Sequence, residues 1–75
     1  MEAAQHGKYQ QLGLNIAYYR KARRLSQSQL AERVNISRTH MSRIETADCA
    51  VSLDVVFRIC DVLDVPTEKM FEFRA

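Results

Sequence analysis

Two short helical patterns with almost no chain between them occupy residues 25–45, LSQSQLAERVNISRTHMSRIE. Ser26 followed by Gln29 matches the capping box, in which both side chains satisfy amide groups at the start of a helix. Ser37 is a second N-cap candidate, and Asn35 can take the left-handed conformation that ends a helix. The spacing predicts two helices joined by a turn of about three residues, which is typical of a helix-turn-helix.

The second of these helices is predicted over about 37–46 and has two unlike sides. On a helical wheel of about 100° per residue, Met41 and Ile44 fall together on an apolar side. His40 and Glu45 lie on its flanks. The opposite side is polar and cationic and consists of Arg38, Thr39, Ser42, Arg43 and Thr46. A helix with an apolar back and a basic front suits insertion into a DNA major groove, so the pattern predicts sequence-specific DNA binding.

The charges are unevenly distributed along the chain. Residues 1–46 carry eight lysines and arginines against three acids, whereas residues 47–75 carry three against six. The basic half is concentrated in Arg20, Lys21, Arg23, Arg24, Arg33, Arg38 and Arg43. Such a concentration suits a phosphate backbone. The alternative interpretation is a solvated surface without a ligand.

Several functional classes find no support in the sequence. We expect no enzyme, because no set of nucleophile, base and oxyanion donors can be assembled and no glycine-rich phosphate loop is present. The histidines His6 and His40 and the cysteines Cys49 and Cys60 lack metal-ligand spacing, so no metal or cofactor is expected and the thiols are expected to be reduced. No apolar run of about 18 residues and no signal peptide occurs, which predicts a cytoplasmic protein without a membrane partner.

The length of 75 residues allows one small domain. We predict a flexible tail at 1–7 and a single domain at 8–75. A first helix is expected over 8–23, with Leu12, Ile16 and Tyr19 on one face. A fourth helix is expected over 53–63, and a short fifth helix is expected from Pro66 to about Phe71.

The fourth predicted helix is apolar on two sides, and one side is available for a partner. One of these apolar sides and the residues near the C-terminus are expected to form the apolar surface that stays exposed once the core is filled. The helix contributes Val55, Ile59 and Val62, and the C-terminal residues are Met70, Phe71 and Phe73. This surface predicts a homodimer, which would read two DNA half-sites about 34 Å apart. The alternative is that the fifth helix folds over this side of the fourth helix.

The chain resembles the lambda-repressor-like, Cro/C1-type (XRE) helix-turn-helix family of bacterial and phage regulators. The resemblance covers about residues 12–71 and rests on LGLNIAYYRKARRLSQ, QLAERVNISRTHMSRIE, VSLDVVFRICDVLDVP and a closing MF. It implies an all-α fold of five helices with a helix-turn-helix at helices 2 and 3. It also implies a transcriptional regulator whose partner is double-stranded DNA.

The resemblance also implies roles for individual residues. The positions expected to read base edges are Arg38, Thr39, Ser42 and Arg43. Gln27 and Thr46 match phosphate-binding positions, and Arg20 with Glu45 matches a structural salt bridge. Arginine can donate two parallel hydrogen bonds to guanine, although contacts by Arg38 and Arg43 to phosphates alone remain the alternative.

Two further phosphate contacts are suggested by the residues themselves. His40 on the flank and Arg33 on the preceding helix are candidates, with ordinary surface residues as the alternative. The chain also departs from the family: Arg24, Asn35, Asp64 and the segment 46–48 stand where many members have glycine. Asp48, two residues after Thr46, would repel a phosphate and so opposes the contact that the resemblance implies for Thr46.

Together these observations predict a small homodimeric regulator, such as a repressor, that binds a roughly palindromic operator and blocks or recruits polymerase. A second hypothesis is a protein-interaction module or an antitoxin-like partner that uses the same fold. The cationic front of the predicted third helix favours DNA over an apolar protein groove.

Overall fold

A computed structural model describes residues 3–73 of the chain. These residues form a 3-10 turn and five α-helices, with no strand among them. The turn is Ala3–Gln5, and the helices are α1 (His6–Ala22), α2 (Gln27–Val34), α3 (Arg38–Glu45), α4 (Leu53–Leu63) and α5 (Thr67–Met70). The prediction of an all-α, five-helix fold with a helix-turn-helix at helices 2 and 3 is confirmed.

The turn between α2 and α3 is built by the residues that predicted it. The Ser26 hydroxyl accepts a hydrogen bond from the Gln29 amide at 3.0 Å, and the Gln29 side chain accepts one from the Ser26 amide at 2.7 Å. Asn35 has a left-handed φ of 62° and ends α2. The Ser37 hydroxyl then accepts from the His40 amide at 3.0 Å and starts α3. Local capping therefore defines both ends of the turn.

Four residues other than glycine have a positive φ, all of them just after a helix. Asn35 and Asp64 adopt this conformation readily because their short polar side chains bond locally. Arg24 at 59° and Ala47 at 61° have no such compensation. Each carries backbone strain of roughly 1–2 kcal/mol. These are the places where the resemblance leads one to expect glycine.

The ends of the chain differ from the predictions. Helix α1 begins at His6, two residues earlier than expected, and the 3-10 turn precedes it. Part of the predicted tail at 1–7 is therefore helical, while Met1 and Glu2 lie outside the described residues, and its flexibility stays a prediction. At the other end Pro66 precedes α5 as its N-cap, and residues 74–75 lie outside the described range.

Every α-helix contributes to one apolar core. Helix α2 packs against α3 and α4, and α1 packs against α3, α4 and α5. The large side chains fully buried there are Ile16, Leu30, Val34, Met41, Val56, Ile59, Leu63 and Met70. Each such side chain contributes about 1.5–3 kcal/mol through burial. The outward face of α3 is thus held on a rigid base.

The predicted dimer surface needs correction. Val55, Ile59 and Met70 are buried in the core of their own chain, and Ile59 is 0% exposed. The reason is that α4 has partners on more than one side, because α1, α2 and α5 all contact it. Val62 is half-buried, and Phe71 and Phe73 are exposed. Only these last three residues of the predicted set are accessible to another molecule.

Candidate nucleic-acid interface

Helix α3 exposes the side that the sequence predicted. Met41 and Ile44 are buried beneath it. Arg38, Thr39 and Arg43 are exposed, and Ser42 is half-buried. The four predicted base-reading residues therefore lie on the solvent side of one short helix, with their apolar neighbours holding that helix to the core.

A buried ion pair secures the C-terminal end of α3. The Arg20 guanidinium donates through Nε and Nη2 to the two carboxylate oxygens of Glu45, at 2.7 and 3.0 Å. Its Nη1 donates to the Leu25 carbonyl oxygen at 2.8 Å. The Arg20 side chain is 10% exposed and that of Glu45 is 5% exposed. This two-pronged contact joins α1, the α1–α2 loop and α3, as the resemblance implies.

Gln27 extends the same network to the start of α2. Its Nε2 donates to Oε1 of Glu45 at 3.1 Å, and the residue is half-buried. An amide nitrogen carries two hydrogens. One of them is engaged with Glu45, and the second is the donor that a phosphate contact would require.

Gly13 sets the separation between α1 and the end of α3. A Cβ atom at this position would lie 2.7 Å from the Ile44 carbonyl oxygen and closer still to that of Glu45. Only a residue without a side chain allows this approach. No role for Gly13 was expected from the sequence pattern, although a glycine within a helical pattern costs about 1 kcal/mol relative to alanine and so signals a packing requirement.

The loop after α3 offers little to a phosphate. The Thr46 hydroxyl lies 3.0 Å from the Ser42 carbonyl oxygen and 3.0 Å from a carboxylate oxygen of Asp48. Its single hydrogen therefore has acceptors within the chain, and the Asp48 carboxylate repels anions. Arg43 reaches back to the same loop, since Nη2 donates to the Asp48 carbonyl oxygen at 3.3 Å. Of the predicted phosphate-binding residues, Thr46 has the least favourable surroundings.

The other basic residues differ in how accessible they are. Arg33 is exposed on α2 and His40 is half-buried on α3. Arg23, just after α1, contacts the C-terminal end of α4, where its Nε donates to the Leu63 carbonyl oxygen at 2.8 Å. Arg58 similarly donates to the Val34 carbonyl oxygen at 2.7 Å, at the end of α2. Arg23 and Arg58 therefore satisfy backbone carbonyl oxygens at the C-terminal ends of α4 and α2. The sequence pattern did not reveal this role.

The described residues were also compared with what a metal site or a reactive thiol requires. Between residues 3 and 73, no three histidine, cysteine or acidic side chains come together as a metal site. Cys60 is buried on α4, and burial together with the nearby charge of Asp61 raises the pKa of its thiol, against the opposing effect of the Thr67 side chain. The Cys60 thiol therefore stays protonated at neutral pH and packs in the core as a small apolar side chain. Within the same span, no helix has the length and apolarity to cross a membrane.

Comparison with known proteins identifies a family and similar folds. The helix-turn-helix domain family model matches residues 11–72. The crystal structure of the restriction-modification controller protein C.AhdI from Aeromonas hydrophila is 25% identical, with a TM-score of 0.80, over 84% of this chain and 96% of that one. In direct sequence comparison, no curated protein matches the chain.

Two further crystal structures share the fold. The clp gene regulator ClgR from Corynebacterium glutamicum is 21% identical, with a TM-score of 0.80, over 83% of this chain and 66% of that one. Bacillus thuringiensis PlcR, solved in complex with the peptide PapR7 and DNA, is 31% identical with a TM-score of 0.76. That match covers 85% of this chain but only 22% of PlcR.

Proposed function

This chain belongs to the helix-turn-helix domain family, and we propose that it is a DNA-binding transcriptional regulator of the Cro/C1 type that reads the DNA major groove with α3. The observation that carries the proposal is the outward face of α3. Arg38, Thr39 and Arg43 are exposed there, with Ser42 half-buried beside them. All four belong to a helix held by the buried Met41 and Ile44.

In this proposal Arg38 and Arg43 read base edges. Each planar guanidinium can donate two hydrogen bonds to O6 and N7 of a guanine, and one such pair contributes about 1–3 kcal/mol of discrimination. Thr39 and Ser42 are short, so the helix backbone can approach the bases closely. Arg43 must leave its long 3.3 Å contact with the Asp48 carbonyl oxygen to do so, which costs little because that contact is exposed.

The backbone contacts are assigned to Gln27, Arg33 and His40. Gln27 retains one amide hydrogen for a phosphate oxygen while the other is donated to Glu45. Arg33 and His40 add positive or hydrogen-bonding groups beside α3. A phosphate contact by Thr46 would require its hydroxyl to leave the Asp48 carboxylate, to which it donates at 3.0 Å.

We further propose that the protein acts as a homodimer on a roughly palindromic operator, in the cytoplasm. A single domain of this size covers few base pairs, whereas two copies read half-sites about 34 Å apart. The proposed contact surface is an apolar groove between α1, the start of α4 and the C-terminal segment. Its lining includes Leu53, Val56, Phe71 and Phe73. Phe57 on α4 is also exposed. Of the residues predicted for the dimer contact, Phe71 and Phe73 line this groove, whereas the half-buried Val62 does not.

Selection of bound sequences from a random DNA pool tests this proposal, followed by titration of variants on the selected site. Arg43→Ala is expected to lower affinity about tenfold or more on that site and to relax the base preference at one position of each half-site. Gln27→Ala is expected to weaken binding to all sequences by a similar factor.

Lys69→Ala serves as the matched control, since it removes an exposed cation of α5 that belongs neither to the proposed DNA contacts nor to the lining of the proposed contact surface. Equal losses on every sequence for Arg43→Ala and Gln27→Ala would refute the assignment of base reading to α3. Failure of the selection to enrich any sequence at low salt would refute the proposal as a whole.

A further inference from the structure

Helix α1 has apolar residues on the side that faces away from the core. Leu14 is 61% exposed and Tyr18, one turn later, is 67% exposed. Leu12 and Ile16 are buried on the inner side of the same helix. Exposed apolar residues that occur singly need no explanation. Two of them one turn apart, however, form a continuous surface, and the DNA-binding proposal does not use it.

These residues line a groove between α1 and the C-terminal segment. Tyr18 and Leu14 lie on one side, and Lys69, Glu72 and Phe73 lie on the other. We call this the α1 groove.

Two contacts make the α1 groove a preformed feature. Asn15 Nδ2 donates to the carbonyl oxygens of Met70 and Glu72, at 2.9 and 3.1 Å, and thereby holds the C-terminal wall against α1. On the opposite wall, the rings of Tyr18 and Tyr19 meet edge to face, with centroids 5.1 Å apart and an interplanar angle of 84°. A groove whose walls are already ordered loses less entropy when it binds.

The charged residues that line the groove are two lysines and one acid. Helix α1 contains no acidic residue. Its Arg20 is neutralised by Glu45, but Lys21 is exposed and lines the groove. Lys69 is on the other wall, and the one acid there, Glu72, lies 3.7 Å from the Lys69 ammonium. The groove therefore combines the apolar side chains of Leu14 and Tyr18 with polar walls, and its lining carries one net positive charge, at Lys21.

We propose that the α1 groove binds an acidic amphipathic helix of a protein partner. Two apolar residues one turn apart on such a helix would pack on Leu14 and Tyr18, as in other helix-in-groove contacts. A flanking carboxylate would meet Lys21, and a second one would compete with Glu72 for Lys69. A DNA backbone fits this groove poorly, because phosphates would have to lose water against the exposed Leu14.

The groove is separate from the proposed DNA-reading helix. No residue of α3 lines the groove. A partner in the α1 groove therefore leaves the proposed base-reading side chains of α3 uncovered. This inference does not depend on α3 reading bases.

The test uses the full chain, labelled with nitrogen-15, and a synthetic helical peptide with two leucines one turn apart flanked by glutamates. Amide chemical shifts are expected to move at residues around the α1 groove and to stay unchanged in α3. A second peptide with lysines in place of the glutamates is expected to bind at least about tenfold more weakly, because it meets a lining of the same net charge.

Paired variants test the residues. Leu14→Ser is expected to weaken binding of the acidic peptide about tenfold. Leu53→Ser, at an equally exposed leucine of α4, is expected to leave the affinity for that peptide unchanged. Lys21→Glu is expected to weaken binding more than Lys8→Glu, which reverses a charge on α1 beside the other groove.

Three results would overturn the inference: no shift at millimolar peptide, equal binding of the two peptides, or shifts centred on α3. A drop in sedimentation mass for Leu14→Ser would also overturn it, since the groove would then be a contact between copies of this chain. None of these measurements uses DNA, so their failure is distinguishable from failure of the proposed function.

Discussion

At the scale of single residues, the absence of a side chain matters as much as the presence of one. Gly13 lets the backbone of α1 touch the last carbonyl oxygens of α3. Gly7, in the same helix, has open space where a methyl group would stand, with no atom within 4 Å, so a glycine is not required there. The two glycines of the chain thus offer a direct comparison between a packing requirement and its absence.

Gly13→Ala is expected to destabilise the fold by about 1–3 kcal/mol, because the new methyl group would collide with backbone that cannot move aside easily. Gly7→Ala is expected to stabilise it by up to about 1 kcal/mol, since alanine loses less entropy in a helix than glycine does. Urea unfolding of both variants, followed by circular dichroism, measures the difference. Equal stabilisation by the two substitutions would contradict the close approach of α1 and α3.

At the scale of helices, one buried ion pair joins elements that the chain separates. Arg20 on α1 contacts Glu45 at the end of α3, and Gln27 at the start of α2 contacts the same carboxylate. The orientation of the DNA-reading helix relative to α1 and α2 therefore depends on one acidic side chain. Removing a single partner from such a pair leaves an uncompensated buried charge.

Glu45→Gln is expected to lower the free energy of unfolding by about 3 kcal/mol, since the amide leaves the buried Arg20 guanidinium without a counterion. Asp54→Asn is the matched control, because Asp54 pairs with Arg58 at 3.9 Å on the surface and is largely exposed. The Asp54→Asn variant is expected to lose less than about 1 kcal/mol, since its exposed ion pair and its place in the first turn of α4 each contribute little. Chemical denaturation of both variants gives the comparison, and similar losses in the two would show that burial of the Arg20–Glu45 pair has no special effect.

At the scale of the whole molecule, the charge and apolar surfaces are segregated. The basic residues are concentrated in the first 46 residues, which include α3, and the acids in the remainder. The exposed Phe71 lies beside an apolar groove away from α3. A dimer formed there would leave the basic face of each copy free for DNA.

Phe71→Glu is expected to shift the protein toward monomer, because a charge would have to be buried in the proposed contact between copies. Tyr18→Glu places the same charge on the other side of α1 and is expected to leave the mass unchanged. Sedimentation equilibrium measures both. A charge at Ile59 is unsuitable for this test because that side chain is in the protein core, and an unchanged mass for Phe71→Glu would remove the proposed interface.

The helix boundaries and the exposed side of α3 are set by interactions between residues three or four positions apart in the sequence. Ser26 and Ser37 cap helices at the positions expected, and Ser52 caps α4 in the same way, because a cap is made by neighbours along the chain. The side of α3 that faces solvent also followed from helical periodicity alone. These features can be read from sequence because their causes are local.

Only the tertiary structure decided which surfaces remain open and which long-range partners meet. Ile59 was expected at a dimer contact but lies in the core, since α4 packs against three other helices at once. The role of Gly13 and the partner of Arg23 likewise depend on where distant backbone arrives. Periodicity identifies an apolar stripe, but whether that stripe is covered by the same chain depends on the packing of helices that are far apart in sequence.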